Sequence, residues 1–273
     1  MKKLLITLSM LTILVSAGAE PLDAFKGKQG TINISGGTAH IPVMRDAAQR
    51  IMKTNPNIRI TVAGGGSGAG VKMVGEGLVQ IGNTGRALKA DEIKNYGLVS
   101  FAFAIDGVAV AVHPQNPVSE LSQQQLADIY SGKITNWQQV GGKNAPITLY
   151  TREDGSGTRE TFETLAIKNS KTISSANVVN SNGAMKTAVS RNPNAIGYVG
   201  IGHLNHQIKG IILDGMKPSQ QNATNGSYRV TRLLYMNTKG NPQGIVADFI
   251  NYIYSADGRK IITKSGYIPV NRK

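Results

Sequence analysis

The sequence predicts an α/β protein folded as two lobes, and three observations predict it. Strand-patterned runs alternate with helix-patterned runs through the first hundred residues. Two strand-to-helix junctions are built almost wholly from glycine and hydroxyl residues, Gly64-Gly65-Gly66-Ser67-Gly68-Ala69-Gly70 and Arg152-Glu153-Asp154-Gly155-Ser156-Gly157-Thr158. Two extended segments, near residues 106 and 228, stand where a chain would cross between lobes and return.

The elements follow in order. Residues 31–35 read as a short strand entering a helix over 42–54, where Val43, Ala47, Ala48, Ile51 and Met52 share one face. Ile58-Arg59-Ile60-Thr61-Val62 alternates at period two and is a strand. It delivers the first glycine junction, a helix over 71–78 and a strand over 79–82, so parallel pairing is expected. Residues 101–112 are nearly all apolar, interrupted only by Asp106-Gly107. That length suits either two buried strands or one long strand passing between lobes. Ser122 with Gln125 forms a capping box, and Leu121 with Leu126 a hydrophobic staple, for a helix ending near Gly132.

Residues 147–150 are a strand leading to the second junction, followed by a helix over 159–166 with Phe162, Leu165 and Ala166 on one face. Asn182 reads as the N-cap of a helix over 183–190. Strands are expected over 195–199 and 210–213, and a long extended segment over 228–237. An amphipathic helix over 242–254 groups Ile245, Val246, Phe249 and Ile253. A last helix around 257–264 ends at Gly266, before Tyr267-Ile268-Pro269. The chain shows no internal repeat and no low-complexity linker.

Composition narrows the function. A length of 273 residues fits two α/β lobes or one large domain, and 40% hydrophobic content is enough for a real core. Aromatics at 5% argue against a stacking platform for bases or sugars. Residues 1–19 read as a secretory signal peptide: Lys2 and Lys3, an apolar run over 4–15, then Ala17-Gly18-Ala19 as cleavage site. The run is short for a membrane span, and no later segment is long and apolar enough to cross a bilayer. The mature chain is expected to start at Glu20, soluble in the periplasm of a Gram-negative cell. The absence of cysteine removes a lipid-anchor residue, disulfides, thiolate zinc sites and cysteine nucleophiles. The net charge of +14, less the two leader lysines, leaves 14 − 2 = +12, a field that draws anions inward. No basic cluster interleaved with aromatics and no nucleic-acid signature accompanies it.

The junctions carry the chemistry. Glycine lets bare backbone N–H groups approach a ligand, and a following helix points unpaired N–H groups and its positive dipole end the same way. Such a junction attracts anions, phosphate above all. A Ser-Gly-Gly-Thr turn at Ser35 to Thr38 is a third candidate. Ser67, Ser156 and Thr158 would equally serve as plain N-caps, which is compatible with anion binding. Enzyme readings fit less well. Gly64-x-Gly66-x-x-Ala69 satisfies a dinucleotide pattern, but no acid stands about 20 positions later to hold a ribose. Gly70-Val71-Lys72 lacks the Walker ending, and Gly65-x-Ser67-x-Ala69 resembles a nucleophile elbow only distantly. A serine hydrolase would need a base from His40, His113, His203 or His206, none in a recognisable setting.

On these residues the chain resembles the periplasmic phosphate-binding proteins that feed the high-affinity phosphate ABC transporter. The resemblance runs over 32–270. Ser35-Gly36-Gly37-Thr38 with Pro42 is similar to the family's first phosphate loop, and the run Gly64 to Gly70 to its second. Arg152-x-x-Gly155-Ser156-Gly157-Thr158 matches the most diagnostic signature. Ile81-Gly82-Asn83-Thr84-Gly85-Arg86, Asn182-Gly183-Ala184-Met185, Asn194-Ala195-Ile196-Gly197-Tyr198 and Gly266-Tyr267-Ile268-Pro269 also match.

The resemblance implies a type II periplasmic-binding-protein fold, each lobe a mixed sheet flanked by helices, closing its cleft over one phosphate without catalysis. Lobe one is expected over 29–106 plus 229–273, and lobe two over 107–228. Thr38 and Ser67, with Gly37 and Gly68 beside them, would contribute from the first lobe. Arg152, Ser156, Gly157 and Thr158 would supply the second. Implied partners are inorganic phosphate and a membrane permease. A monomer is expected, with no metal, cofactor, nucleic acid or membrane insertion.

Two departures stand out. Gly85 occupies the place where many relatives carry serine, so a hydroxyl donor is lost. Some members place an aspartate near Arg86 to accept the proton of monohydrogen phosphate, and residues 82–86 contain no acid. Asp106 is the candidate replacement, or else a turn residue before Gly107, with Asp154 a weaker choice. Arg86 either touches ligand or props a neighbour. Sulfate, molybdate or arsenate therefore remain rival ligands, as does a surface or biofilm scaffold among rival functions.

Overall fold

The computed structural model describes residues 21–272; the leader expected over 1–19 lies outside the described residues. Strand β1 (Gly30–Gly36) runs through a short turn into helix α1 (Ile41–Thr54), whose Val43, Met44, Ala47, Ala48 and Ile51 are buried. Strand β2 (Ile58–Gly65) passes directly into α2 (Gly66–Gly75), followed by β3 (Ile81–Thr84) and α3 (Ala90–Tyr96). β1 pairs in parallel with both β2 and β3, with Ile32 opposite Ile60 and Ile34 opposite Ile81.

The apolar run after α3 is one strand, β4 (Leu98–Val112), 15 residues long, and not two. Asp106 lies inside it, directly opposite Arg232, so the turn reading of Asp106 is incorrect. β5 (Glu120–Leu121) and α4 (Gln123–Tyr130) follow; Ser122 closes the expected capping box with Gln125. β6 (Thr148–Arg152) leads into α5 (Gly157–Thr161), which widens into a π-helical turn at Phe162–Ala166. The helix thus begins two residues earlier than its apolar face suggests.

β7 (Asn177–Val179) precedes α6 (Asn182–Arg191). Its N-cap is Ser181, whose side chain accepts from the Ala184 N–H, and not Asn182 as the spacing suggests. β8 (Ala195–Gly200), β9 (Lys209–Gly210), β10 (Ile212–Leu213) and α7 (Gln220–Thr224) complete the middle of the chain. β11 (Thr231–Lys239), α8 (Gly244–Tyr254), α9 (Ala256–Lys264) and β12 (Ile268–Pro269) end it. Tyr228 precedes β11, buried, with its hydroxyl donating to the Val108 carbonyl at 2.8 Å.

The main sheet has strand order β2-β1-β3-β11-β4-β8-β6-β7, with β9 and β12 also on β4. β4 carries both halves: its first part pairs antiparallel with β11, its last with β8. It feeds two cores. Phe103 joins Ile32, Met44, Leu234, Phe249 and Tyr267 in one. Val108, Val110 and Val112 join Leu126, Trp137, Phe162, Ile196 and Tyr198 in the other. A strand buried on both faces reads as continuous apolar sequence, which is why the alternation expected of a half-exposed strand is missing here.

Glycine in α2 has a packing cause. A Cβ at Gly70 would stand 2.5 Å from the Asn83 carbonyl oxygen and 3.0 Å from the Gly36 Cα. The helix therefore lies against backbone that has no room to shift. Gly70→Ala is expected to cost about 1–3 kcal/mol through overpacking, read as a lower urea midpoint at unchanged slope. An unchanged midpoint would contradict this packing.

Candidate functional site

A small, tight pocket lies where the two halves meet. From the first half it takes Gly37, Thr38, Ala39 and His40 after β1, Gly66 and Ser67 at the start of α2, Gly85 after β3, and Arg232 of β11. From the second it takes Arg152 at the end of β6 with Ser156, Gly157 and Thr158 at the start of α5. The pocket is a meeting of strand ends and helix starts, as expected for ligand sites of open α/β sheets.

The two glycine junctions touch. The Gly68 N–H donates to the Gly155 carbonyl at 3.0 Å. Gly66, at φ +83°, is where a Cβ would stand 2.9 Å from Glu153 Oε1. Asn182, freed from capping, donates from its backbone N–H (3.2 Å) and Nδ2 (3.0 Å) to Thr38 Oγ1, and accepts from the Gly200 N–H through Oδ1. Further out, Arg86 Nε lies 3.3 Å from Glu160 Oε2. These three contacts hold the halves together over the pocket.

Arg152 is fully buried and oriented by Glu153, whose carboxylate accepts from Nε and Nη2 at 2.8 Å each. Its Nη1 is buried with no partner in the protein. The backbone at Arg152 is fixed too, since its N–H donates to the Tyr198 hydroxyl at 3.0 Å. Tyr198 stacks on Phe162 with ring centroids 4.0 Å apart, and burial pushes its hydroxyl up to about 12, so it stays neutral. Ser156 caps α5 by accepting from the Arg159 N–H, and Ser67 Oγ accepts from the Gly85 N–H at 3.0 Å. Among the described residues, no hydrogen bond joins Ser67 to a histidine. The first N–H groups of α5, those of Gly157 and Thr158, have no acceptor within the helix.

Of the residues singled out in the sequence, Gly37, Thr38, Ser67, Arg152, Ser156, Gly157 and Thr158 are on the lining; Gly68, Arg86 and Asp106 are not. Gly68 spends its N–H on Gly155, and Gly37 spends its own on the Asn83 carbonyl. Arg86 gives Nη1 and Nη2 to Glu92 at 2.8 and 2.7 Å, so it props α3 and faces a wider groove shared with Arg159 and Lys171. Asp106 takes Nε (3.0 Å) and Nη2 (2.8 Å) of Arg232 on its Oδ2. Burial raises the Asp106 carboxyl, and the Arg232 charge pulls it back down.

His40 and Arg232 escape a reading of local motifs. Arg232 leaves one signal: it and Asp106 are lone charges inside apolar strands, and such charges need a partner. His40 is fully buried against Phe103, and burial, with the Arg232 charge, lowers it to about 3. Its ring is neutral at physiological pH.

The lining thus offers two guanidinium groups, four hydroxyls and helix-start N–H groups, with no carboxylate side chain. That set fits a small tetrahedral oxyanion. No group of three or more metal-ligating side chains occurs among the described residues, and no helix among them is long and apolar enough to cross a membrane.

Residues 26–257 match the family model of the PBP superfamily domain. The chain is 37% identical to the phosphate-binding protein PstS of Bacillus subtilis over 91% of its own length and 84% of the relative's. Identity to the Borreliella burgdorferi phosphate-binding protein PstS is 28%, over 99% of each chain. Among solved structures, a candidate phosphate ABC transporter substrate-binding protein from Clostridium perfringens, with bound phosphate, matches at TM-score 0.84 and 36% identity. That match covers 89% of this chain and 100% of the other. An ABC-type phosphate transport receptor from Vibrio cholerae matches at 0.70 and 36%, covering 87% and 99%. The fold is that of a two-lobed binding protein with its ligand cleft between the lobes. The chain belongs to the PBP superfamily and, within it, to the PstS phosphate-binding proteins.

Proposed function

We propose that this protein captures inorganic phosphate in the cleft and delivers it to the permease of an ABC transporter, acting by binding and release without catalysis. The observation that carries the reading is the buried, unpartnered Nη1 of Arg152, in a pocket it shares with Ser67 and Thr38 from the opposite half. A guanidinium edge with nothing to bond is costly in a closed protein unless an anion completes it. The relatives that are similar over nearly the whole chain are named as phosphate-binding proteins.

The lobes are taken as 29–106 plus 229–273 and 107–228, in keeping with the two hydrophobic cores on either side of Asp106. A ligand touching both lobes favours the closed arrangement by its differential affinity for that state. Thr38, Ser67, Arg152, Ser156, Gly157 and Thr158 supply the contacts, and Gly37 shapes the turn that presents Thr38. The protein works as an exported, soluble monomer in the periplasm, with the permease as its membrane partner.

Calorimetric titration of the mature protein with orthophosphate, sulfate, molybdate and arsenate tests the ligand. Phosphate is expected to bind most tightly; affinity no better than for sulfate would refute it. Arg152→Ala is expected to weaken phosphate binding by about 1.5–3 kcal/mol, or roughly ten- to a hundredfold. Unaltered affinity would remove Arg152 from the site.

A further inference from the structure

Arg232, on β11 opposite Asp106 of β4, lines the pocket beside Gly85. Its Nε and Nη2 both donate to Asp106 Oδ2, at 3.0 and 2.8 Å. Its Nη1 points elsewhere: it is the atom nearest to where a Cβ on Gly85 would stand, at 2.7 Å, with Cζ at 3.0 Å. Gly85 and Arg232 line the same pocket as Arg152. We propose that Arg232 is a second ligand-binding arginine of this pocket, and that glycine at position 85 is what admits its guanidinium. The inference rests on the phosphate reading and names a further contact within that site.

The two arginines are built alike. Arg152 gives Nε and Nη2 to Glu153, Arg232 gives Nε and Nη2 to Asp106, and in each the Nη1 edge is left over. A carboxylate on one edge fixes the plane of a guanidinium and compensates its charge while the pocket is empty, which an isolated buried arginine would lack. An anion entering the pocket then meets pre-aimed charged donors from both halves. This gives position 85 a physical meaning. A side chain there would take the space beside Nη1, so glycine leaves the guanidinium edge room to face the pocket. Besides Asp106, the groups near Arg232 are the neutral His40, His203 and Tyr267 and, on the same pocket lining, the cationic Arg152. The charge of Arg232 is therefore balanced by Asp106 and open to an incoming anion.

Titrating orthophosphate by calorimetry into wild type, Gly85→Ala, Arg232→Lys and the apolar double variant Asp106→Leu/Arg232→Met tests this. Gly85→Ala puts a Cβ 2.7 Å from Nη1 and so pushes the guanidinium edge out of the pocket; it is expected to fold, as its ligand-free melting curve checks, and to weaken phosphate about tenfold. The double variant is expected to lose about fiftyfold or more, and Arg232→Lys, which keeps the charge, to recover part of that loss. Wild-type affinity in both Gly85→Ala and the double variant overturns the proposal. If the double variant does not fold, Gly85→Ala decides alone. If wild type itself gives no heat with phosphate, it is the phosphate reading that fails. If phosphate binds and only Arg152→Ala weakens it, the second arginine fails while that reading stands.

Discussion

Asp106→Ala is expected to lower folding stability by about 3–5 kcal/mol, because it leaves the Arg232 guanidinium buried without its counter-charge. Both side chains are almost entirely removed from solvent, and they face each other across the β4–β11 ladder. Removing both charges together should restore much of the loss, since a buried ion pair replaced by apolar groups of similar volume is often neutral. The measurement is urea unfolding of Asp106→Ala beside Asp106→Leu/Arg232→Met. Equal destabilisation of the two would show that packing, and not the unpaired charge, sets the cost. A loss under about 1 kcal/mol in Asp106→Ala would mean that water reaches Arg232.

Acidification is expected to destabilise the protein through two buried histidines. His40 is lowered to about 3 and His203 to about 4, in both chiefly by burial and with nearby cationic side chains adding to it. The unfolded chain binds these protons near pH 6.5, the folded chain only far below it. Stability from the neutral rings is thus complete above pH 6.5 and lost as pH falls toward 4 and then 3. At 1.36 kcal/mol per pH unit, His40 alone should cost about 3 kcal/mol by pH 4. Unfolding free energies between pH 7.5 and 4, for wild type and His40→Gln, measure this. The variant should show a shallower slope, and parallel curves would mean that His40 does not titrate on unfolding.

Legibility differed sharply among the parts of the site. The second junction was readable because its elements are local: β6 ends at Arg152, Ser156 caps α5, and Gly155 makes the tight turn between them. The same holds for Ser67 at the first junction and for the capping box at Ser122. Asn182 was misread because Ser181 is an equally good cap, and only contact with Thr38, 144 residues away, shows what the amide does. Arg86 has its partner Glu92 only six residues away, yet the pairing depends on how α3 folds back. Glu153 is an unspecified position of the Arg152-x-x-Gly155 signature, and its hold on Arg152 needs the side-chain direction at the end of β6.

By itself the sequence determined the α/β alternation, the glycine junctions with their hydroxyls, the apolar run broken by Asp106-Gly107 and the likeness to phosphate-binding proteins. Hydrophobic period, capping and backbone freedom act within a few residues, so they are written along the chain. Tertiary structure alone decided that β4 runs unbroken through both cores, that Arg232 stands opposite Asp106 at a separation of 126 residues, and that His40 closes one wall of the pocket. Those facts depend on the register of β11 against β4 and on which side chains burial forces together. Strand register is settled by the packing of the whole sheet, and no stretch of sequence read alone contains it.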